Sequence, residues 1–198
     1  CFLIGSIYFC EANSSYLINK NNMMKVKKLS GKVQDAQQIP TLFDHENIMY
    51  YPINIVNWKE YPYQPQVSFR IAYTNDAILV HYKVVEDSVR AKYGEDNGSV
   101  WTDSCVEFFS IPAGDGIYYN LECNCIATIL LAAGSERNNR EMAPSEITDQ
   151  VKRWASLGRE TFEEKIGECT WEVALLIPYK VFFKHAITGL DGMSIRAN

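Results

Sequence analysis

The sequence predicts an all-β fold, an antiparallel β-sandwich or jelly roll carrying one or two short helices. Three observations predict it. Short runs alternate apolar and polar residues with a period of two, turn-forming clusters separate those runs, and nowhere do strands alternate with long amphipathic helices. The chain has 198 residues, 47% of them hydrophobic, enough for one sizeable core without a disulfide framework. Aromatic residues make up 13%, with twelve Tyr and four Trp, a richness that suits both β-structure and the stacking of flat rings.

The chain opens on an apolar run, C-F-L-I-G-S-I-Y-F-C from Cys1 to Cys10. It has the length of a secretion signal core and is too short to span a bilayer. Residues 1–22 are expected as an apolar leader or non-native extension, with Met23 or Met24 as the alternative start. Secretion or a periplasmic place goes with the first reading, a cytoplasmic place with the second. Residues 23–49 are polar and mixed, with Lys25, Lys27 and Lys28 close together, and read as a linker or leader with one short strand. Pro52, Pro62 and Pro65 make the following aromatic stretch extended rather than helical.

Regular strands begin at residue 67. Val67, Phe69, Ile71 and Tyr73 alternate with smaller or polar residues, and Thr74-Asn75-Asp76 turns the chain into Ile78, Val80, Tyr82 and Val84, a hairpin. After a Glu95–Gly98 loop, Cys105–Ile111 forms a strand, and P-A-G-D-G leads into a long strand expected over Ile117–Leu131. Residues 134–165 interrupt the pattern, with a short helix expected over Ser145–Leu157. Trp171, Val173, Leu175 and Ile177 share one face of the next strand. Pro178 starts a helical turn, and Met193–Asn198 opens a last strand with no partner after it.

The totals limit function. A net charge of −5 and the lack of a basic run with interleaved aromatics argue against a nucleic-acid partner. No residue run is long enough for a membrane-spanning helix. The six cysteines include no C-x-x-C pair, and His45, His81 and His185 are scattered, so the spacing of a zinc site is missing. The four internal cysteines are expected as buried free thiols. No organic cofactor is implied.

One strand carries an unusual polar face. Tyr119, Leu121 and Cys123 lie on one side, while Tyr118, Asn120, Glu122 and Asn124 lie on the other. Glu107, Arg70 and Arg196 occupy non-core positions of their own strands. If these strands pair, they gather carboxylates, amides and guanidinium groups of the kind that bind sugar hydroxyls, and Trp101 can supply an apolar platform. A solvated outer face of an antiparallel sheet accounts for the same pattern.

The motifs add a resemblance. V-W-T-D-S-C-V-E-F-F (Val100–Phe109) resembles the W-x-x-D-x-V-E-I/F-F signature of family 9 carbohydrate-binding modules. The likeness continues through P-Q-V-S-F-R-I-A-Y-T-N-D-A-I-L-V, Y-Y-N-L-E-C-N-C-I-A-T, R-N-N-R-E-M-A-P-S-E-I, W-E-V-A-L-L-I-P and L-D-G-M-S-I-R-A-N. Residues 50–198 therefore look like a bacterial family 9-like carbohydrate-binding β-sandwich. The resemblance implies non-catalytic binding of an oligosaccharide or polysaccharide, in association with polysaccharide breakdown. It implies Trp101 as one ring of an aromatic clamp, Glu107 as a hydroxyl acceptor, Glu122 and Asn124 as polar contacts on the next strand, and Arg196 and Asn198 as a late polar pair. Where Glu122 stands, the family commonly has Arg.

The family's second clamp Trp lies beyond that late strand, so the resemblance implies truncation at the C-terminus and an unpaired sheet edge. Trp58 is read first as a core or staple residue and second as a substitute for the missing ring. Arg137 and Arg140 are expected either to close over a ligand as a loop or simply to solvate it. Structural calcium is possible in the family, with Asp76 and Asp115 in turns as candidates. A glycoside hydrolase using Glu107 and Glu122 as paired carboxylates is the enzymatic alternative. The other alternative is an immunoglobulin-type interaction sandwich, distinguished by a Trp101 buried between the sheets.

Overall fold

A computed structural model describes residues 5–10, 23–56, 60 and 62–198, the first stretch as backbone only. The elements in chain order are β1 (Gly5–Cys10), β2 (Met23–Lys28), α1 (Ile39–His45), β3 (Tyr51–Ile53), β4 (Gln66–Tyr73), β5 (Ala77–Ala91) and β6 (Cys105–Ile111). They continue as β7 (Tyr118–Asn124), β8 (Ile129–Gly134), β9 (Glu141–Met142), α2 (Ser145–Thr148), β10 (Lys152–Ala155), β11 (Phe162–Pro178) and β12 (Ser194–Ala197). Short 3-10 turns fill several connections, among them Val100–Thr102 and Arg137–Asn139.

Hydrogen bonds link the strands in the order β10-β11-β5-β4-β2-β1-β12-β6-β7-β8-β9, with β3 added to β4. The path folds back on itself at β1. One layer is β10-β11-β5-β4-β2, the other β12-β6-β7-β8-β9, and alternate side chains from both meet in one core. That core joins Ile71, Val80, Tyr82, Trp171 and Leu175 of the first layer to Val106, Phe108, Tyr119, Leu121 and Leu131 of the second. Each large side chain sealed there contributes about 1.5–3 kcal/mol of apolar burial. The predicted β-sandwich is the observed architecture.

Each layer also has a patched outer face. Over the first, Ile39 and Phe43 of α1 pack on Ala72, Leu79, Ala174 and Leu176. Over the second, Val100 of the 3-10 turn packs on Leu130 and Ala132 of β8. Residues read as a linker thus supply β2 and α1, with Val26, Ile39 and Phe43 wholly buried. Ile39, Leu42 and Phe43 do stand at helical i, i+3, i+4 spacing, but over a stretch too short to stand out as a period.

Several expectations need correction. The strand expected over Ile117–Leu131 is a hairpin, β7 and β8, pairing Leu121 with Leu131. Its turn is apolar, so composition hides it. Asn124 Oδ1 accepts from the backbone N–H of Ile126 and Thr128, and Ala127 takes φ 57°. The helix expected over Ser145–Leu157 is four residues long, and β10 follows because its backbone pairs with β11 from Lys152–Leu176 to Ala155–Val173. The strand holding Trp171 begins at Phe162, inside the stretch read as interrupting the pattern, with two register shifts against β5 in its exposed half. Pro178 caps its helical turn rather than entering it. The last strand has no open edge, because β12 pairs with β6 on one side and β1 on the other. Cys123 and Cys125 are buried thiols as expected, whereas Cys105 and Cys169 are only partly buried.

Candidate functional site

The register of the second layer decides which polar groups share a face. Glu107 of β6 stands directly across from Glu122 of β7, Phe109 across from Asn120, and Cys105 across from Asn124. Glu122 faces Leu130 and Asn120 faces Ala132 on β8. On the far side of β6, Arg196 stands across from Ile111, and Asn198 exchanges backbone hydrogen bonds with Phe109 at 2.8 and 3.0 Å. Glu107, Glu122, Asn120, Arg196 and Asn198 therefore lie on one outer face, as expected. Arg70 does not: it belongs to β4, on the opposite outer face of the sandwich.

The connection from β5 to β6 partly roofs this face. Asp103 anchors it. Its wholly buried carboxylate accepts from the backbone N–H of Lys92 and Tyr93, both at 3.0 Å, from Asn124 Nδ2 at 3.1 Å, and pairs with Arg90 at 3.4 Å. So held, the roof presses Val100 onto Leu130 and Ala132, the cross-strand neighbours of Glu122 and Asn120. The next residue, Trp101, points outward and is 52% exposed. The tryptophan packed between the layers is Trp171, at 1% exposure. A scaffold role for Trp101 is thereby removed.

Beneath the roof, Asn120 and Glu122 are 0% and 6% exposed. Asn120 Nδ2 donates to Glu122 Oε1 at 2.7 Å. Glu122 Oε2 and Asn120 Oδ1 are buried and have no hydrogen-bond partner among the described residues. Leaving a buried acceptor unpaired costs about 1–3 kcal/mol, so such atoms point to a missing donor. Ser110 Oγ is also unpartnered, but faces the core side with Tyr119 and Ala197.

Glu107 is exposed, at the mouth of this pair. Crowding by surrounding protein, and then the charge of Glu122, raise its pKa above the ordinary carboxylate value; Arg140 and Arg137 oppose that rise. Both arginines belong to the β8–β9 connection. Arg140 lies 6.0 Å over the ring of Tyr118, which itself packs edge-on against Phe109 at 6.3 Å. Gly134 permits this close loop, since a Cβ there would meet Asn139 O at 2.8 Å and Arg140 Cα at 2.9 Å. The face thus runs from an exposed Trp, past two carboxylates and an amide, to a Phe–Tyr pair with arginines at its edge.

Asn124 has another task. Its amide donates to Tyr93 O at 2.8 Å and to Asp103, and its Oδ1 accepts from Ile126 and Thr128. Both donors and both acceptor positions are taken, which leaves nothing for a ligand. Asn120, on the polar face but outside the expected contacts, is the amide that has an open acceptor. The calcium candidates are also engaged: Asp115 accepts from Ile117 N and pairs with His185, and Asp76 accepts from Thr74 Oγ1. Among the described residues no group of three acidic, His or Cys side chains gathers to hold a metal. Trp58 lies outside the described residues. No described helix is long and apolar enough to cross a membrane.

A family model, carbohydrate-binding family 9, matches residues 37–198. A candidate carbohydrate-binding protein from Bacteroides uniformis is 48% identical over 87% of this chain and 79% of its own, with a TM-score of 0.84. A family 9 carbohydrate-binding module from Caldicellulosiruptor kristjanssonii also aligns, in complex with glucose (12% identity, TM-score 0.46, 96% of this chain, 84% of that one). Its cellotriose complex gives 10% identity, a TM-score of 0.47, and 96% and 83% coverage. A likeness that faint bears no weight below. No curated protein matches the chain.

Proposed function

The chain belongs to carbohydrate-binding family 9, and we propose that it holds its sugar on the outer face of β6, β7 and β8, under Trp101, without chemically altering it. The observation that carries this reading is the exposed Trp101, fixed by a buried Asp103 beside a floor of unpaired carboxylate and amide oxygens. A flat apolar ring above acceptors matches a pyranose, which offers an apolar face and donor hydroxyls at its edge. Glu107, Glu122 and Asn120 are the floor of this site, Trp101 its platform, and Arg140, Arg137, Arg196 and Asn198 its rim. The role in polysaccharide breakdown is one of holding, beside enzymes that cut.

Hydrolysis by Glu107 and Glu122 is disfavoured by their placement. Directly paired residues on neighbouring strands send their side chains out on the same side of the sheet. Both carboxylates then reach a sugar from one side of the sheet, and Glu122, buried and held by Asn120, is read as a hydroxyl acceptor rather than as one of an acid and its partner flanking a glycosidic bond. A glycan array probed with the protein and with Trp101→Ala tests the reading. Binding to neutral oligosaccharides, lost in the variant with the fold intact by circular dichroism, is the expected result. Equal binding by the variant, or turnover of an aryl glycoside that vanishes in Glu107→Gln, overturns it.

A further inference from the structure

The polar floor has a feature that carbohydrate binding alone does not require: every open group on it accepts. Asn120 donates from Nδ2 to Glu122 Oε1 at 2.7 Å, and this fixes which end of the buried amide is left unpaired. Turning the amide over would set oxygen against carboxylate oxygen, so the free end is the carbonyl Oδ1. Beside it lies Glu122 Oε2, also unpartnered, and across the strand the Glu107 carboxylate. Neither glutamate forms an ion pair among the described residues.

We propose that Asn120 is a specificity-determining residue: locked by Glu122, it completes an acceptor-only floor that takes a neutral sugar edge bearing two adjacent free hydroxyls, both donating. This rests on the reading of the face as a carbohydrate site. Joined by one hydrogen bond, Asn120 and Glu122 carry their unpaired oxygens on a single stretch of β7, which suits hydroxyls on neighbouring carbons of one ring. A sulfate, carboxylate or ether oxygen at either position meets another acceptor with no proton between them. Among the described residues no group of three acidic, His or Cys side chains gathers at the floor. Arg137 and Arg140 act on Glu107 from the loop and do not supply donors to the two buried oxygens, which have no partner.

The test takes the neutral glycan that binds best on the array and compares it with its monodeoxy and mono-O-methyl analogues by calorimetry. Two adjacent positions are expected at which either change lowers affinity about tenfold or more, because each leaves a buried acceptor unpaired. Glu122→Gln places an N–H where Oε2 stands, and should reduce the O-methyl penalty at one of those positions to about threefold or less. Asn120→Asp, which sets two carboxylates together, should weaken the parent glycan about tenfold or more. Glu107→Gln, at the exposed position, checks the same logic without disturbing a buried group. Loss at one position only, loss at non-adjacent positions, or unchanged affinity in Asn120→Asp overturns the proposal. A silent array overturns the carbohydrate reading itself, a distinguishable outcome.

Discussion

The two outer faces of the sandwich each bury polar groups beneath a covering segment, yet they settle those groups in opposite ways. Under α1, Arg70 is 3% exposed and completely engaged. Its guanidinium donates to His81 Nδ1 at 2.9 and 3.2 Å, to Pro40 O at 3.3 Å, and to Asp44, and lies 4.2 Å over the ring of Tyr50. Because Arg70 can only donate, His81 Nδ1 must accept, and its Nε2–H donates to Glu172 at 2.9 Å. Donors and acceptors alternate along the whole chain of contacts. Under the Val100 roof the chain of contacts stops short, at Glu122 Oε2 and Asn120 Oδ1. Burial therefore does not separate a structural cluster from a binding site. What differs between these two faces is the completeness of hydrogen bonding.

The comparison can be broken at its strongest point first. Arg70→Ala leaves the buried His81 Nδ1 without its donor and Asp44 without its partner, and should cost up to about 3 kcal/mol in urea unfolding. Array binding by the protein that remains folded should be unchanged; lost binding would show the faces are not independent.

Acidification should separate the faces next. Burial, and then the charge of Arg70, lower the His81 pKa from 6.5 to about 4. Between those values the unfolded chain takes up a proton that the folded chain refuses, so stability falls as pH drops from 6.5 and levels off near 4. The loss should be on the order of 2 kcal/mol, and flat melting temperatures across that window would contradict it. Trp101→Ala comes third, costing about tenfold or more in affinity but less than about 0.5 kcal/mol in stability, because an exposed ring supports little of the fold. The smallest effect belongs to Glu107. Its raised pKa means that acidification converts this acceptor to a donor early, and glycan affinity should decline with falling pH before the carboxylates of ordinary pKa protonate. Glu107→Gln should remove that decline in calorimetric titrations at stepped pH.

How much of this was legible in the sequence differs between the faces as well. Alternation in β4–β7 and around Trp171 is a backbone property that the residues write directly, so the sandwich and the shared face of Glu107 and Glu122 follow from period two. The 123–129 turn was not legible, because Asn124 makes it with its side chain while apolar residues fill it. The same engagement removes Asn124 from the binding face, which no spacing rule can reveal. Arg70 looked like part of the site because alternation tells inside from outside but not which layer a strand joins. Asn120 was visible as a polar residue, but its open acceptor depends on the direction of one amide. The role of α1 was hidden because Ile39 and Phe43 stand among polar neighbours and bury only when the first layer is present.

Chemical-shift mapping of the isotopically labelled protein with its best array glycan tests the central claim most directly. The prediction is that the shifts gather on the Trp101 indole, the Asn120 side-chain amide and the backbone of β6 and β7, while His81 and Tyr50 stay still. Shifts centred on His81, Tyr50 and α1, with Trp101 and Asn120 unmoved, would contradict it.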